Sequence, residues 1–251
     1  NVAYDNVNNR LFVADGGNNR ILAFNVATAS ITNGMNASSV LGQTNFITAN
    51  PDLTISSLSS PVGVTYDSAT SRLFVADSSN NRVLGFNLSG GITNGMNASN
   101  VLGQLDFVTN SALNPARLFR AYGSSVLTDS GKLFFSDYFD KRILIWNTIP
   151  ASSGATPDVV VGKKSFYHNN AVIDEATLDS LYGMAIIGSK LFFAYYSNNL
   201  ILIWNTIPTT NGASANVVLG APDFVTGGTA AVDEANFRPC GVGVYGTKMV
   251  V

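Results

Sequence analysis

Histidine occurs once in the 251 residues, at His168, and cysteine once, at Cys240. A zinc site needs three or four ligands drawn mainly from His, Cys and carboxylates, so one histidine cannot hold catalytic zinc in the usual way. A lone cysteine allows neither an internal disulfide nor a c-type haem attachment. A Ser-His-Asp arrangement needs a nucleophile motif to go with its histidine, and Gly-x-Ser-x-Gly does not occur. Phosphate-binding glycine loops, the dinucleotide glycine fingerprint and EF-hand loops are also missing from the sequence. His168, in the Asn-rich stretch after Phe166-Tyr167, reads as an ordinary surface histidine.

The carboxylates leave more room. Asp174-Glu175 and Asp233-Glu234 each open the same short pattern, two acids, Ala, a variable residue and an apolar one. Paired carboxylates supply the hard oxygen ligands that Ca²⁺ prefers, which makes calcium the one possible cofactor. The plainer reading is acidic charge at the start of a short helical turn, where it complements the dipole; on that reading no cofactor or metal is expected. Asp15, Asp77 and Asp137, each followed at a fixed distance by Arg20, Arg82 and Arg142, suggest a carboxylate array. Because an Asp at a strand end caps the turn with its own side chain, and an aligned Arg can pair with it, this set reads as construction rather than catalysis.

Irregular residues in repeated positions are the better functional signal. Tyr138, Phe139, Tyr195 and Tyr196 stand where earlier copies of the same pattern have Gly, Ser or Asp. With Arg117, Arg120 and Arg238 they form the candidate binding set, since exposed aromatics and arginines are enriched at protein interfaces and aromatic rings also stack on sugars. The competing reading is packing of these rings against neighbouring loops.

Those residues are held by a repeat. Asn9-Arg-Leu-Phe-Val-Ala-Asp15 returns as Ser71-Arg-Leu-Phe-Val-Ala-Asp77, and more loosely as Lys132–Asp137 and Lys190–Tyr195. The end of this segment recurs at residues 15, 77, 137 and 195, in steps of 62, 60 and 58. The glycine of Val-Leu-Gly-Gln recurs at 42, 103, 162 and 220, in steps of 61, 59 and 58. Ile31-Thr-Asn-Gly-Met-Asn-Ala-Ser38 returns letter for letter at Ile92–Ser99. In the second copy the pattern predicts four short strands: Val62–Asp67 introduced by Pro61, then Arg72–Ala76, Arg82–Asn87 and Asn100–Gln104. Runs such as Leu-Phe-Phe and Ile-Leu-Ile-Trp are continuously apolar, as expected of strands buried on both faces. Four-stranded antiparallel units at this period predict an all-β protein of the β-propeller class.

Composition agrees. Apolar residues make up 46% and charged residues 12%, with a net charge of −2, which excludes a disordered chain and an electrostatic nucleic-acid partner. The longest apolar stretches, of five or six residues, exclude membrane insertion by a helix.

The repeat resembles the NHL family, whose units read Pro-x-Gly-Val, then Leu-Tyr-Val-Ala-Asp-x-x-Asn-x-Arg-Val. The second copy carries it at Pro61, Gly63, Val64, Leu73 to Asp77, Asn80, Arg82 and Val83. The Val-Leu-Gly-Gln-x-x-Phe segments at Val40–Phe46 and Val101–Phe107 resemble a bacterial long-blade subgroup. Later copies depart: Tyr195 replaces the Asp, Leu200 the Arg, and Lys163 and Ala221 the Gln. The resemblance implies a propeller, usually of six blades, whose common property is a scaffold.

We therefore expect one propeller domain over 1–251, with blades at about 1–46, 59–107, 117–166 and 178–224 and a partial blade at 236–251. Four whole blades and two strands of a fifth, opening on Asn1 without Met or signal peptide, suggest a fragment of a six-bladed propeller. The strands at Gly63, Gly123, Gly183 and Gly241 should lie innermost, and as read they carry no acid into the channel. The expected function is a non-catalytic binding or structural scaffold of an exported, extracellular or cell-surface bacterial protein. Its partner is a protein, a glycan or a second copy. The alternative is a calcium-dependent propeller hydrolase or lactonase whose site lies partly in missing blades.

Overall fold

The computed structural model describes residues 1–110, 125–166, 181–196, 199–224, 239, 242–245 and 248–250. Arg117, Arg120, Arg238, Asp174, Glu175, Asp233, Glu234, His168, Cys240, Gly123 and Gly241 lie outside the described residues.

Four antiparallel sheets of four strands follow one another. The first holds β1 (Val2–Asp5), β2 (Arg10–Asp15), β3 (Arg20–Asn25) and β4 (Ser39–Leu41). The second holds β5 (Pro61–Asp67), β6 (Arg72–Asp77), β7 (Arg82–Asn87) and β8 (Asn100–Leu102). β9 (Val126–Asp129), β10 (Lys132–Asp137), β11 (Arg142–Trp146) and β12 (Val159–Val161) form the third. β13 (Leu181–Ile187), β14 (Lys190–Tyr195), β15 (Leu200–Trp204) and β16 (Val217–Leu219) form the fourth. β17 (Gly243–Tyr245) pairs with β18 (Lys248–Val250) in a two-stranded sheet. Within each four-stranded sheet the strands pair in chain order, as a propeller blade requires.

The first strands are innermost, as the sequence predicts. β1 packs on β5, β5 on β9, β9 on β13 and β13 on β17. β5 and β9 are tied directly, by a hydrogen bond between Thr65 Oγ1 and Thr128 Oγ1 at 3.1 Å and by Thr128 N–H donating to Thr65 Oγ1. The third blade fills the inner position differently. Gly63 faces Ala76 and Gly183 faces Ala194, but the matching place opposite Ser136 belongs to Ser125, two residues past Gly123. Ser125 N–H donates to Ser136 Oγ and Ser136 N–H returns a bond to Ser125 O, so side-chain and backbone bonds stand in for the glycine register. The strand then runs on to Asp129, and acids do end three first strands, at Asp5, Asp67 and Asp129. Asp5 and Asp67 are used by the hairpin turn that follows: Asp5 accepts the N–H groups of Val7 and Asn8, and Asp67 that of Thr70.

Each sheet is a wall with two apolar faces. Along β6, Leu73 and Val75 join Phe12, Ile21 and Leu41 of the first blade. Phe74 and Ala76, pointing the other way, join Leu133, Phe135 and Leu144 of the third. Phe134 and Ile143 in turn meet Met184, Phe193 and Trp204 of the fourth. This is why strand residues that alternate in direction are nevertheless all apolar.

Turns and loops finish each wall. The turn after the second strand ends on a left-handed residue, Asn19, Asn81, Lys141 or Asn199, with φ between 50° and 56°, and Asn enters that region at the least cost after Gly. The marker glycines Gly42, Gly103, Gly162 and Gly220 all have φ between 82° and 92°. A Cβ on Gly220 would stand 2.4 Å from the Asn199 carbonyl oxygen, so the recurring glycine is a steric requirement. Farther out, the loop between third and fourth strands reaches back to the preceding blade. Gly95 N–H donates to Val40 O, Gly154 N–H to Val101 O and Gly212 N–H to Val160 O.

Truncating a side chain between two walls should cost what a buried cavity costs. Phe134→Ala is expected to lower stability by about 3–5 kcal/mol in urea unfolding. Ile47→Ala, at a position 94% exposed, should leave the midpoint nearly unmoved.

Candidate functional site

The turns joining second and third strands, with the loops that enter the next blade, make up one end of the array. A carboxylate–guanidinium latch organises it. Arg82 donates through Nε to Asp77 Oδ2 at 2.7 Å, and both side chains are fully buried. Its two remaining nitrogens do not stay within the pair. Nη2 donates to the carbonyls of Thr54 and Ser57, in the segment that enters the blade, and Nη1 to that of Phe107, in the segment that leaves it. Asp77 also accepts the Ser59 N–H at 2.6 Å and the Asn80 amide at 2.9 Å. One pair thus satisfies the backbone of two loops lacking a ladder partner, as buried polar groups require. The set recurs as Arg20 on Asp15, where Arg20 also reaches Phe46 O, and as Arg142 on Asp137, where Arg142 reaches Phe166 O. The array is loop construction, as its repetition suggested.

Burial raises both buried carboxyls. Burial pushes the Asp77 carboxyl up, against the opposing pull of Arg82, the Ser59 N–H and Asn80. Burial pushes Asp137 up to about 7; Arg142 pulls it down, and the nearby Asp140 charge adds to the rise. In the first two blades an amide completes this region: Gln43 donates to the carbonyls of Asn19 and Asn50, and Gln104 to that of Asn81. In the third blade Lys163 takes that place, and burial pushes its ammonium down while Asp140 and Asp137 draw it up.

Four candidate aromatics lie at this end and divide into two kinds. Tyr138 and Tyr195 are half-buried against the core between the third and fourth blades. Phe139 and Tyr196 are 45% and 38% exposed. Tyr138 and Phe139 meet edge to face, with centroids 5.6 Å apart. The first-blade counterpart of Tyr138 shows why that ring is covered, while Tyr196, at the same turn position of the fourth blade, is nonetheless exposed. A Cβ on Gly16 would come within 2.7 Å of the Pro61 carbonyl oxygen, so this position is aimed at the next blade. The following position, Gly17 or Phe139, faces open space; a Cβ on Gly17 would touch nothing within 4 Å. Sequence alone does not separate the two.

Between the first two blades lies a recess of about 210 Å³, lined by Gln43, Thr44, Asn50, Asp52 and Ser57 among others. It offers hydroxyls, amides and one carboxylate, and the Gln43 amide N–H₂ is already engaged. No three His, Cys, Asp or Glu side chains converge among the described residues. No helix of the described residues is long and apolar enough to cross a membrane.

No protein-family model matches the sequence, and no curated protein does. Solved structures match through their fold. A chain in the crystal structure of the mitotic checkpoint complex aligns with a TM-score of 0.52 at 13% identity, covering 96% of this chain and 54% of that one. A chain in a nidogen/laminin complex gives 0.47 at 14%, covering 86% and 66%, and the WD40 β-propeller domain of Doa1 gives 0.47 at 11%, covering 88% and 55%. This chain spans between about half and two thirds of the solved chains it matches. The protein is a β-propeller array of four-stranded antiparallel blades.

Two outcomes test the latch. Asp77→Ala, which strands a buried guanidinium, should cost about 3–5 kcal/mol in chemical unfolding. The Asp137 carboxyl titrates higher in the folded chain than in the unfolded one. Its stabilisation is therefore fully present below the unfolded value near 3.8 and is lost as pH rises through about 7. The urea midpoint should fall between pH 5 and pH 8, and Asp137→Asn should flatten that fall.

Proposed function

We propose that this protein is a non-catalytic, NHL-type propeller that serves as a binding scaffold of an exported bacterial protein. The observation that carries the reading is the pair Phe139 and Tyr196. Both expose large rings at one end of the array, in turns where the first two blades carry Gly-Gly and Ser-Ser. Exposed aromatic rings are enriched at protein interfaces, and recognition usually sits on turns carried by a rigid frame. The match to the NHL pattern in the second blade supports the family, and low charge with abundant Asn, Ser and Thr supports an extracellular or cell-surface setting. The partner favoured by aromatic side chains in this setting is a protein surface, with a glycan as the second candidate.

Replacing Phe139 and Tyr196 by Ser should leave unfolding unchanged and weaken partner capture at least tenfold, in pull-down or on a glycan array. Tyr138→Ser should instead lower stability, because that ring packs between blades. Undiminished capture by the Phe139→Ser, Tyr196→Ser variant would remove these turns from the binding surface.

A further inference from the structure

The segment Ile31–Ser38 returns letter for letter as Ile92–Ser99, and the structure shows what the second copy does. The copy at Ile92–Ser99 clasps the preceding blade through the two backbone groups of one residue. Asn94 Oδ1 accepts the Val40 N–H at 3.0 Å, and Gly95 N–H donates to the Val40 carbonyl at 3.2 Å. Ser153 Oγ and Gly154 do the same to Val101, at 3.1 and 2.9 Å. Asn211 Oδ1 and Gly212 do the same to Val160, at 3.0 and 2.9 Å. The rule is a hydroxyl or amide oxygen followed by a glycine with φ of 66° or 67°. Each clasp grips the middle residue of the preceding blade's outermost strand.

That residue has a fourth member. Val40, Val101 and Val160 stand opposite Leu22, Leu84 and Leu144, and Val218 stands opposite Leu202 in the same register. The register turns the N–H and carbonyl of Val218 outward, away from β15, as it does in the other three. Among the described residues nothing grips them. The side chains register the difference: Asn100 and Val159 are 0% and 2% exposed at the start of their strands, and Val217 is 39% exposed. Val218 and Leu219 are half-buried where their counterparts in the second and third blades are wholly buried.

We propose that the outer edge of β16 is a docking site for the outer half of a further blade of this same repeat, entering through an Asn-Gly or Ser-Gly clasp on Val218. The neighbouring strands fix that occupant. The hairpin β17–β18 already lies beyond β13, with Val242 and Met249 packed on Ala185, Phe192, Ile201 and Ile203. The inner half of the adjoining position is therefore filled, and a whole blade of a second copy would collide with it. What fits is a third strand beside β18, a clasp and a fourth strand. The interface continues one seen three times in the molecule, and pairing at an exposed strand edge supplies its binding energy through the backbone.

The test extends the 251-residue chain after Val251 with a copy of residues 194–224, which carries on the repeat from β18. Amide exchange at Val218 should slow at least tenfold, to the range of Val101 and Val160, with the clasp variant Asn211→Ala, Gly212→Asp in the appended copy returning it to the faster rate. Should the extended chain fold poorly, a peptide of residues 194–224 added in trans should shift the Val217–Leu219 amide resonances, and its Asn211→Ala form should bind at least tenfold more weakly. Exchange at Val218 unchanged by both additions overturns the assignment. Slow exchange in the unextended chain that rises and falls with protein concentration, and is abolished by Asn33→Ala, places a second copy there and also overturns it.

Discussion

A sheet that is apolar on both faces cannot be the outer layer of anything, and every other feature of this molecule answers to that. Phe74 and Leu73 are consecutive residues of one strand, yet both are fully buried, one toward the third blade and one toward the first. Stability therefore resides between sheets more than within them, as in other arrays whose units contact only their neighbours. The small residues of the inner strands follow from the same constraint, because walls radiating from an axis crowd at the centre. Gly63 facing Ala76, with Ser125 facing Ser136 in the next blade, keeps that part of each hairpin thin.

Apolar walls alone would leave their connecting loops with unsatisfied backbone groups at the rim. Two devices meet this need, at different places. At the turn end the buried Asp–Arg pair acts through its spare nitrogens and oxygens, which collect carbonyls and an N–H from the loops entering and leaving the blade. Viewed only as an ion pair, Asp77–Arg82 would be a doubtful asset, because desolvating two charges offsets most of their attraction. Viewed as a hub for backbone groups, its recurrence in three blades makes physical sense. Toward the outer edge the clasp pairs one residue of the outermost strand and so caps an edge that would otherwise remain open.

The walls were legible in the sequence because double-sided burial leaves continuous apolar runs, and the turns because Asn, Asp and Gly advertise left-handed backbone. The clasp was visible only as a repeated string. Its partner is a backbone pair 54 residues away at Val40, and a backbone pair has no side-chain signature. That Ser125 stands opposite Ser136, held by side-chain and backbone hydrogen bonds, has no sequence signal of its own, because a serine pair looks like any other turn or strand polar residue. Among the aromatics, type and position identified Tyr138 and Phe139 together. Only the approach of Gly16 to Pro61 shows that the first of the two positions points into the next blade and the second away from it.

This division of labour limits where a ligand can be read. Each strand is committed twice, its alternate residues to one neighbouring wall and then the other, so a strand position cannot change to suit a partner without opening a cavity on its side. The first turn position faces the next blade at Gly16 and at Tyr138, whereas Tyr196 at that position of the fourth blade is exposed. At the second turn position Gly17, Ser79 and Phe139 differ in size while the flanking strands keep their register, and the Phe139 ring lies edge to face on Tyr138. A scaffold built this way can vary its recognition surface one turn at a time. Phe139 at the second position and Tyr196 at the first are the two rings that this arrangement leaves exposed at the turn end.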